Sequence, residues 1–176
     1  MSAMANAFQI EKCQEVAFAD ALATIGAETF SDAFGHLYKP ADLNAFLNEH
    51  HSAVVYEKLL RDPHYGVWAV KDDVGRLMAY MVAGPCNLPA PELPANSGEL
   101  IRLYTRKEHQ GKGLGMKMLD IALAWLDAHF ARTYLSVYAG NHGAQKLYKR
   151  YGFEIVHEYS FMVGNHADPE FIMKRV

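Results

Sequence analysis

Cysteine is nearly absent from this sequence. Cys13 and Cys86 are the only two in 176 residues, too few for a disulfide framework or a zinc ligand set. The nine histidines form neither an HExxH pattern nor a cluster with cysteine, which leaves no recognisable metal motif. An excess of positive charge is missing as well. Lys and Arg number 17 against 20 Asp and Glu, a net charge of −3. Polyanion-binding proteins meet phosphates with a basic face, so nucleic acid is not an expected partner; one local anion site remains compatible with this balance. No stretch approaches the roughly 18 apolar residues of a membrane span. The opening MSAMANAFQIEKCQE lacks the basic segment and apolar run of a signal peptide. A soluble cytoplasmic protein without a membrane partner is the expectation.

What is present is a globular composition, 51% hydrophobic and 21% charged, in about one domain's length. Ala7–Cys13 reads as an opening strand. Helical spacing follows in Ala21, Ile25, Phe30 and Phe34, then in a second helix opened by Pro40-Ala41-Asp42, where proline suits a first turn. A third helical run, Ser52–Leu60, stops at Asp62-Pro63. Tyr65–Val70 and Arg76–Ala83 read as a hairpin around Lys71–Gly75. Gly84–Gly98 holds Pro85, Pro89, Pro91 and Pro94, four of the seven prolines, and reads as a loop.

Glu99–Thr105 is the next strand. A helix follows whose face is Leu114, Met118, Ile121, Ala122 and Trp125, widened by Leu119, Leu123 and Leu126. Met78, Met81, Met116 and Met118 read as core filler. Thr133–Tyr138 is a strand, Asn141–Tyr151 a helix capped by Asn141 and ended by Gly152, and Phe153–Val163 and Glu170–Val176 are closing strands. The order describes one mixed α/β domain over residues 1–176.

The informative segment is Gln110-Gly111-Lys112-Gly113-Leu114-Gly115, between a strand and a helix. Residues without Cβ let backbone N–H groups approach an anion, and a helix N-terminus adds its dipole. The spacing fails a Walker A loop and the dinucleotide fingerprint alike, because Met116 stands where each needs glycine. A plain glycine turn without a ligand remains the alternative.

Gln110, Gly113 and Gly115 match the pattern Q/RxxGxG/A, and Asn141–Phe153 reads NxxAxxLYxxxGF. Together with the strand Glu99–Thr105, these segments resemble the GNAT family of N-acetyltransferases over roughly residues 65–160. The resemblance implies an α/β fold of the α+β type: a mostly antiparallel mixed sheet with helices on both faces and a splay between its fourth and fifth strands. It implies acetyl-CoA as cosubstrate, a small amine as acceptor, and a homodimer by family habit. Glu28-Thr29-Phe30, Pro40–Leu43 and Tyr159–Gly164 look similar to bacterial polyamine (spermidine/spermine) acetyltransferases, although Ile101 stands where such relatives often carry a second acidic residue.

The resemblance also suggests roles. Glu99 matches a glutamate base and Tyr148 the general acid beside the coenzyme sulfur; a strand-edge carboxylate and a core aromatic are the plainer alternatives. Leu103, Tyr104 and Thr105 would meet the pantetheine arm and acetyl carbonyl through backbone groups. Gln110, Gly111, Lys112, Gly113, Leu114 and Gly115 would hold the pyrophosphate, with charge from Lys112 or Arg106. Asn141 would contact pantetheine, cap its helix, or do both. His50, His51 and His64 read as surface histidines, and Glu28, Asp32 and Glu49 as helix charges near the acceptor. Neither cysteine falls in a matched motif, so direct transfer in a ternary complex is expected. Peptide amine acetylation and a catalytically silent acyl-CoA sensor are the alternative functions.

Overall fold

The computed structural model describes residues 8–176, so Ala7 of the expected opening strand lies outside the described residues. The chain runs β1 (Ile10–Lys12), α1 (Ala19–Phe34), α2 (Pro40–His50), α3 (Ala53–Arg61), β2 (Gly66–Lys71), β3 (Leu77–Pro85) and β4 (Ser97–Thr105). It continues through α4 (Leu114–His129), β5 (Arg132–Tyr138), α5 (His142–Arg150), β6 (Phe153–Val163) and β7 (His166–Arg175). The seven strands form one sheet in the order β1-β2-β3-β4-β5-β7-β6. Only β4 and β5 pair in parallel, because α4 carries the chain across the sheet between them.

Each face of the sheet has its own core. Leu114, Met118, Leu119, Ala122, Leu123 and Leu126 of α4 pack on Met81, Leu100, Leu135 and Met173, with α5 beside them. On the other face, Leu22 and Ile25 of α1 and Tyr56 of α3 cover Val67, Ala69, Tyr80 and Val82. A third group, Phe30, Tyr38, Phe46 and Val163, joins α1 and α2 to β6. Strands covered on both sides read as near-continuous apolar runs, and β3 is buried from Leu77 to Gly84.

The β4–β5 pairing is short. It spans Ser97–Leu100 against Arg132–Leu135 and then stops, while β4 stays paired to β3 as far as Thr105. A bulge lies where the strands part: Arg102 faces Val82, Leu100 faces Ala83, and Ile101 is the extra residue. Bulges bend a strand and increase its twist. Ile101 and Arg102 accordingly both lie on the α1–α3 face, Ile101 against that core and the Arg102 guanidinium over the Tyr56 ring at 5.2 Å. The expected splay is present.

Four expectations need correction. The proline-rich loop is shorter than Gly84–Gly98, because Gly84 and Pro85 pair with Glu99 and Gly98. The last strand begins at His166 rather than Glu170; His166-Ala167-Asp168-Pro169 looks like a turn, yet it pairs with β6 through Val163. Proline is tolerated there because β5 pairing begins only at Glu170. Ile121 and Met116 are more than a third exposed, so the α4 core face centres on Leu119 and Leu126. His51 is buried, not superficial: its Nδ1 lies 2.9 Å from the Tyr56 hydroxyl, which donates to that of Tyr80 at 3.0 Å.

This tyrosine–histidine chain requires glycine at position 26, where a Cβ would run into the Tyr56 hydroxyl and the His51 ring. Gly26→Ala is expected to destabilise the fold by about 1–3 kcal/mol, as overpacking does. Urea denaturation measures it.

Candidate active site

A cavity of about 280 Å³ opens where β4 leaves β5. Ile101–Tyr104 form one wall, Ser136–Tyr138 another, and Asn141, Ala144 and Tyr148 of α5 a third. Phe30, Phe34 and Phe46 close it from α1 and α2. Among the described residues, the β4 edge over Ile101–Thr105 that faces away from β3 has no strand partner, so an extended ligand arm can pair with it as another strand would. Leu103, Tyr104 and Thr105 all lie on this segment. Leu103 packs into the α4 core, and Tyr104 stacks on Tyr80 at 6.0 Å.

The turn after β4 has the shape an anion requires. Gly111 and Gly113 hold φ values of +76° and +78°, in the left-handed region that favours glycine. A Cβ at Gly111, Gly113 or Gly115 would meet nothing within 4 Å, so the space before these amides is open. Gly113 is the N-cap of α4 and supplies no side-chain acceptor, which leaves the first-turn N–H groups for a ligand. Gln110 braces the turn, its Nε2 donating to the Thr105 carbonyl at 3.0 Å. Leu114 anchors it from inside, buried in the α4 core.

One charge assignment changes. Arg106 is buried; its Nε donates to the Leu77 carbonyl at 2.6 Å, and its Nη1 pairs with Glu28. It ties α1 to the sheet rather than meeting phosphate, and Glu28 is neutralised by it and by Arg76 at 3.6 Å. Lys112, at the exposed glycine turn, also borders a second cavity with Phe8, Lys71 and Asp72.

Glu99 is 8% exposed and lines the splay cavity. One oxygen, Oε2, accepts from the Asn87 amide at 3.3 Å. The other has no partner among the described residues and is not sealed from the cavity. Burial pushes its pKa from 4.5 up to about 7, against the opposing pulls of the Asn87 amide and Arg102. Tyr148 packs its ring edge-on against Phe153 at 5.9 Å and lines the same cavity; burial raises its phenol to about 12. Asn141 caps α5, accepting from the Ala144 amide at 3.1 Å, while also lining the cavity. A carboxyl that titrates near neutrality and a phenol that stays protonated thus share one cavity, a pairing suited to taking and giving protons.

Several cavity residues were given no site role from the sequence, although Tyr159 lay in a segment similar to polyamine acetyltransferases. Arg102, Ser136, Tyr159, Asp168 and Glu170 all line it. The last four come together only through the β5-β7-β6 pairing.

An unpaired strand edge leading to an open helix start, with a buried carboxyl and a phenol in the gap, suits a protein that takes an acyl group from a phosphate-bearing carrier. The chain belongs to the acetyltransferase (GNAT) family, whose sequence pattern matches residues 26–153; it is an acetyl-CoA-dependent N-acetyltransferase. An uncharacterized N-acetyltransferase of Mycobacterium tuberculosis is 27% identical over 160 residues, covering 89% of this chain and 96% of the relative. The spermine/spermidine N(1)-acetyltransferase of Bacillus subtilis is 39% identical over 64 residues, 35% of this chain and 42% of that protein. The crystal structure of PaiA N-acetyltransferase from Thermoplasma acidophilum, in complex with coenzyme A, superimposes with a TM-score of 0.72 at 18% identity, covering 95% of this chain and 98% of that one. That likeness establishes the fold. No helix among the described residues is long and apolar enough to cross a membrane.

Gly113→Ala forces a side chain into the left-handed region, at a cost of about 1–2 kcal/mol. Calorimetry is expected to show acetyl-CoA binding weakened by roughly 10-fold, with the Tm lowered by only a few degrees.

Proposed function

We propose that residues 1–176 form one catalytic domain that acetylates a small primary amine, with polyamines as the leading class, by direct attack in a ternary complex. Glu99 carries this reading. It is buried, half-satisfied, poised near pH 7, and in one cavity with Tyr148 beside the open edge of β4. The partial likeness to the Bacillus subtilis enzyme supports the polyamine preference; Ile101 in place of an acidic residue argues for a different way of holding the acceptor.

Acetyl-CoA supplies the thioester carbon, which bonds to the amine nitrogen as its bond to sulfur breaks. Glu99 takes one proton from the incoming ammonium, which has no lone pair near neutral pH, and later releases it to solvent. Backbone N–H groups on the open edge of β4 stabilise the negative charge that develops on the carbonyl oxygen. Tyr148 donates to the departing sulfur. A phenol near 12 is a weaker acid than an ordinary thiol, but the same desolvation raises the thiol, so the two approach each other. The second proton of the attacking nitrogen restores Tyr148, and the balance closes with one proton released.

Leu103, Tyr104 and Thr105 hold the pantetheine arm through their backbone, with Asn141 opposite. Gln110, Gly111, Lys112, Gly113, Leu114 and Gly115 hold the pyrophosphate, Gln110 by bracing the turn and Lys112 through its amide. The cysteines support direct transfer. Burial raises Cys13 to about 12 and Cys86 to about 11, so neither is a thiolate near neutrality.

Tyr148→Phe is expected to lower kcat by about 10²-fold while KM for acetyl-CoA stays within about 2-fold; an equal change in both would mark Tyr148 as packing alone. Because the active form of Glu99 is the carboxylate, kcat/KM for the amine should rise with pH through about 7 and then level off. Glu99→Gln should lower the rate by a similar factor and abolish that limb, read by thiol release across pH 5.5–9.

A further inference from the structure

Arg102 is the one guanidinium among the described residues that line the splay cavity, and no lysine joins it there. The chemistry above gives it no part. Its place follows from the bulge. On an unbroken strand, residues three apart point to opposite faces, and Arg102 stands three residues after Glu99. The extra residue at Ile101 cancels that alternation. Leu100 and Leu103 turn into the α4 core, while Ile101, Arg102 and Tyr104 turn to the α1–α3 face, with Glu99 beside them in the cavity lining. Guanidinium and carboxyl thus share a face, their Cα atoms within about 10 Å by strand rise.

Two contacts fix the guanidinium. Its Nη2 donates to the His50 carbonyl at 2.9 Å, at the end of α2, and its plane covers the Tyr56 ring of α3 at 5.2 Å. Nη1 is buried without a hydrogen-bond partner among the described residues. A carbonyl and a ring do not neutralise the charge, and arginine stays protonated at any working pH. Other titratable groups face this pair from each packed element. At the end of α2, His51 is pushed down to about 3 and His50 is lowered, by burial first and by Arg102 as well. Burial raises the phenols of Tyr56, Tyr80 and Tyr104 on the near side and of Tyr148 and Tyr159 on the far side. It also holds the Cys86 thiol up at about 11. Asp168 and Glu170 face across from β7, where Tyr38 and His166 hold the first and Ser136 the second. The Glu99 carboxyl is left with the Asn87 amide and the charge of Arg102 against its burial.

We infer that Arg102 is a positioning residue for the base: tethered to the His50 carbonyl and the Tyr56 ring, on the face to which the Ile101 bulge brings it, it supplies the fixed positive charge that lets Glu99 ionise inside its buried cavity. The inference rests on the reading of Glu99 as the base and adds the group that makes a carboxylate tenable there. It also gives the bulge a second use. The residue that parts β4 from β5 is the one that carries the charge to the base's side of the sheet.

Carbon-13 NMR of the Glu99 side-chain carboxyl, identified by its loss in Glu99→Gln, reads this titration with no acceptor present. Arg102→Gln and Arg102→Met remove the charge with two side chains of different polarity. Each should move the midpoint up from about 7 by roughly 1 pH unit, the scale of a unit charge at this distance. Arg102→Lys keeps the charge and should hold the midpoint close to the wild-type value. In kcat/KM for spermidine, R102Q and R102M should lose about 5-fold at pH 7 and recover by pH 9, whereas a purely structural role lowers the rate at every pH. A midpoint unmoved in the neutral variants overturns the inference, as does one that R102K shifts as far as R102Q. If the wild-type Glu99 carboxyl titrates at its ordinary value, or E99Q leaves the acid limb of the rate intact, the base reading falls and this inference with it. A limb that E99Q abolishes and R102Q leaves in place sinks the inference alone.

Discussion

The parting of β4 from β5 after Leu100 is the constraint on which the rest of the molecule depends. A parallel pair that continued to Thr105 would seal the sheet, fill the cavity with strand, and satisfy the backbone groups that remain open on β4. The parting is built in by an extra residue. With Ile101 bulged, β4 keeps its hold on β3 but turns its second half away from β5. Everything chemical is then arranged around the resulting wedge: Glu99 just before the bulge, the open edge after it, the glycine turn at its end, and Tyr148 on the helix that follows β5. The two cores on either face hold the wedge open, because α4 grips one side of β4 while Tyr56 and Tyr80 grip the other.

Local signals in the chain account for much of this. The glycine turn and the Asn141–Phe153 segment are short stretches in which backbone geometry dictates residue type, so they can be read without the fold. Element order was legible for the same reason, since apolar spacing reports which face of a helix or strand is covered. Ile101 carried no comparable sign; a bulge depends on the register of the facing strand, which lies about twenty residues away in sequence. Arg106 resembled a surface cation because its partner, Glu28, sits on a distant helix. The acidic wall formed by Asp168 and Glu170 was hidden twice, by a turn-like His-Ala-Asp-Pro sequence and by contacts that exist only once β5, β7 and β6 are aligned.

Glu99 shows what such a site costs the fold. A carboxyl whose pKa is raised in the folded state binds its proton more tightly there than in the unfolded chain. Its contribution is neutral at acid pH, becomes unfavourable above the ordinary value of 4.5, and levels off above about 7. The group proposed as the base is thus a source of instability near neutral pH. The cores on both faces of the sheet offset it, while the Asn87 amide and the charge of Arg102 favour the carboxylate too weakly to cancel its burial. Stronger solvation of that carboxylate would steady the protein and lower its basicity together.

The unpartnered stretch of β4 also has a meaning for the protein outside catalysis. An open strand edge inside a sheet is a place where another chain can add itself, and the occupant proposed here is the carrier arm. A ligand present at 100 times its dissociation constant stabilises the state it binds by about 2.7 kcal/mol, a large share of the margin of an ordinary domain. By that linkage, coenzyme held along this edge stabilises the folded chain as well as supplying the acetyl group.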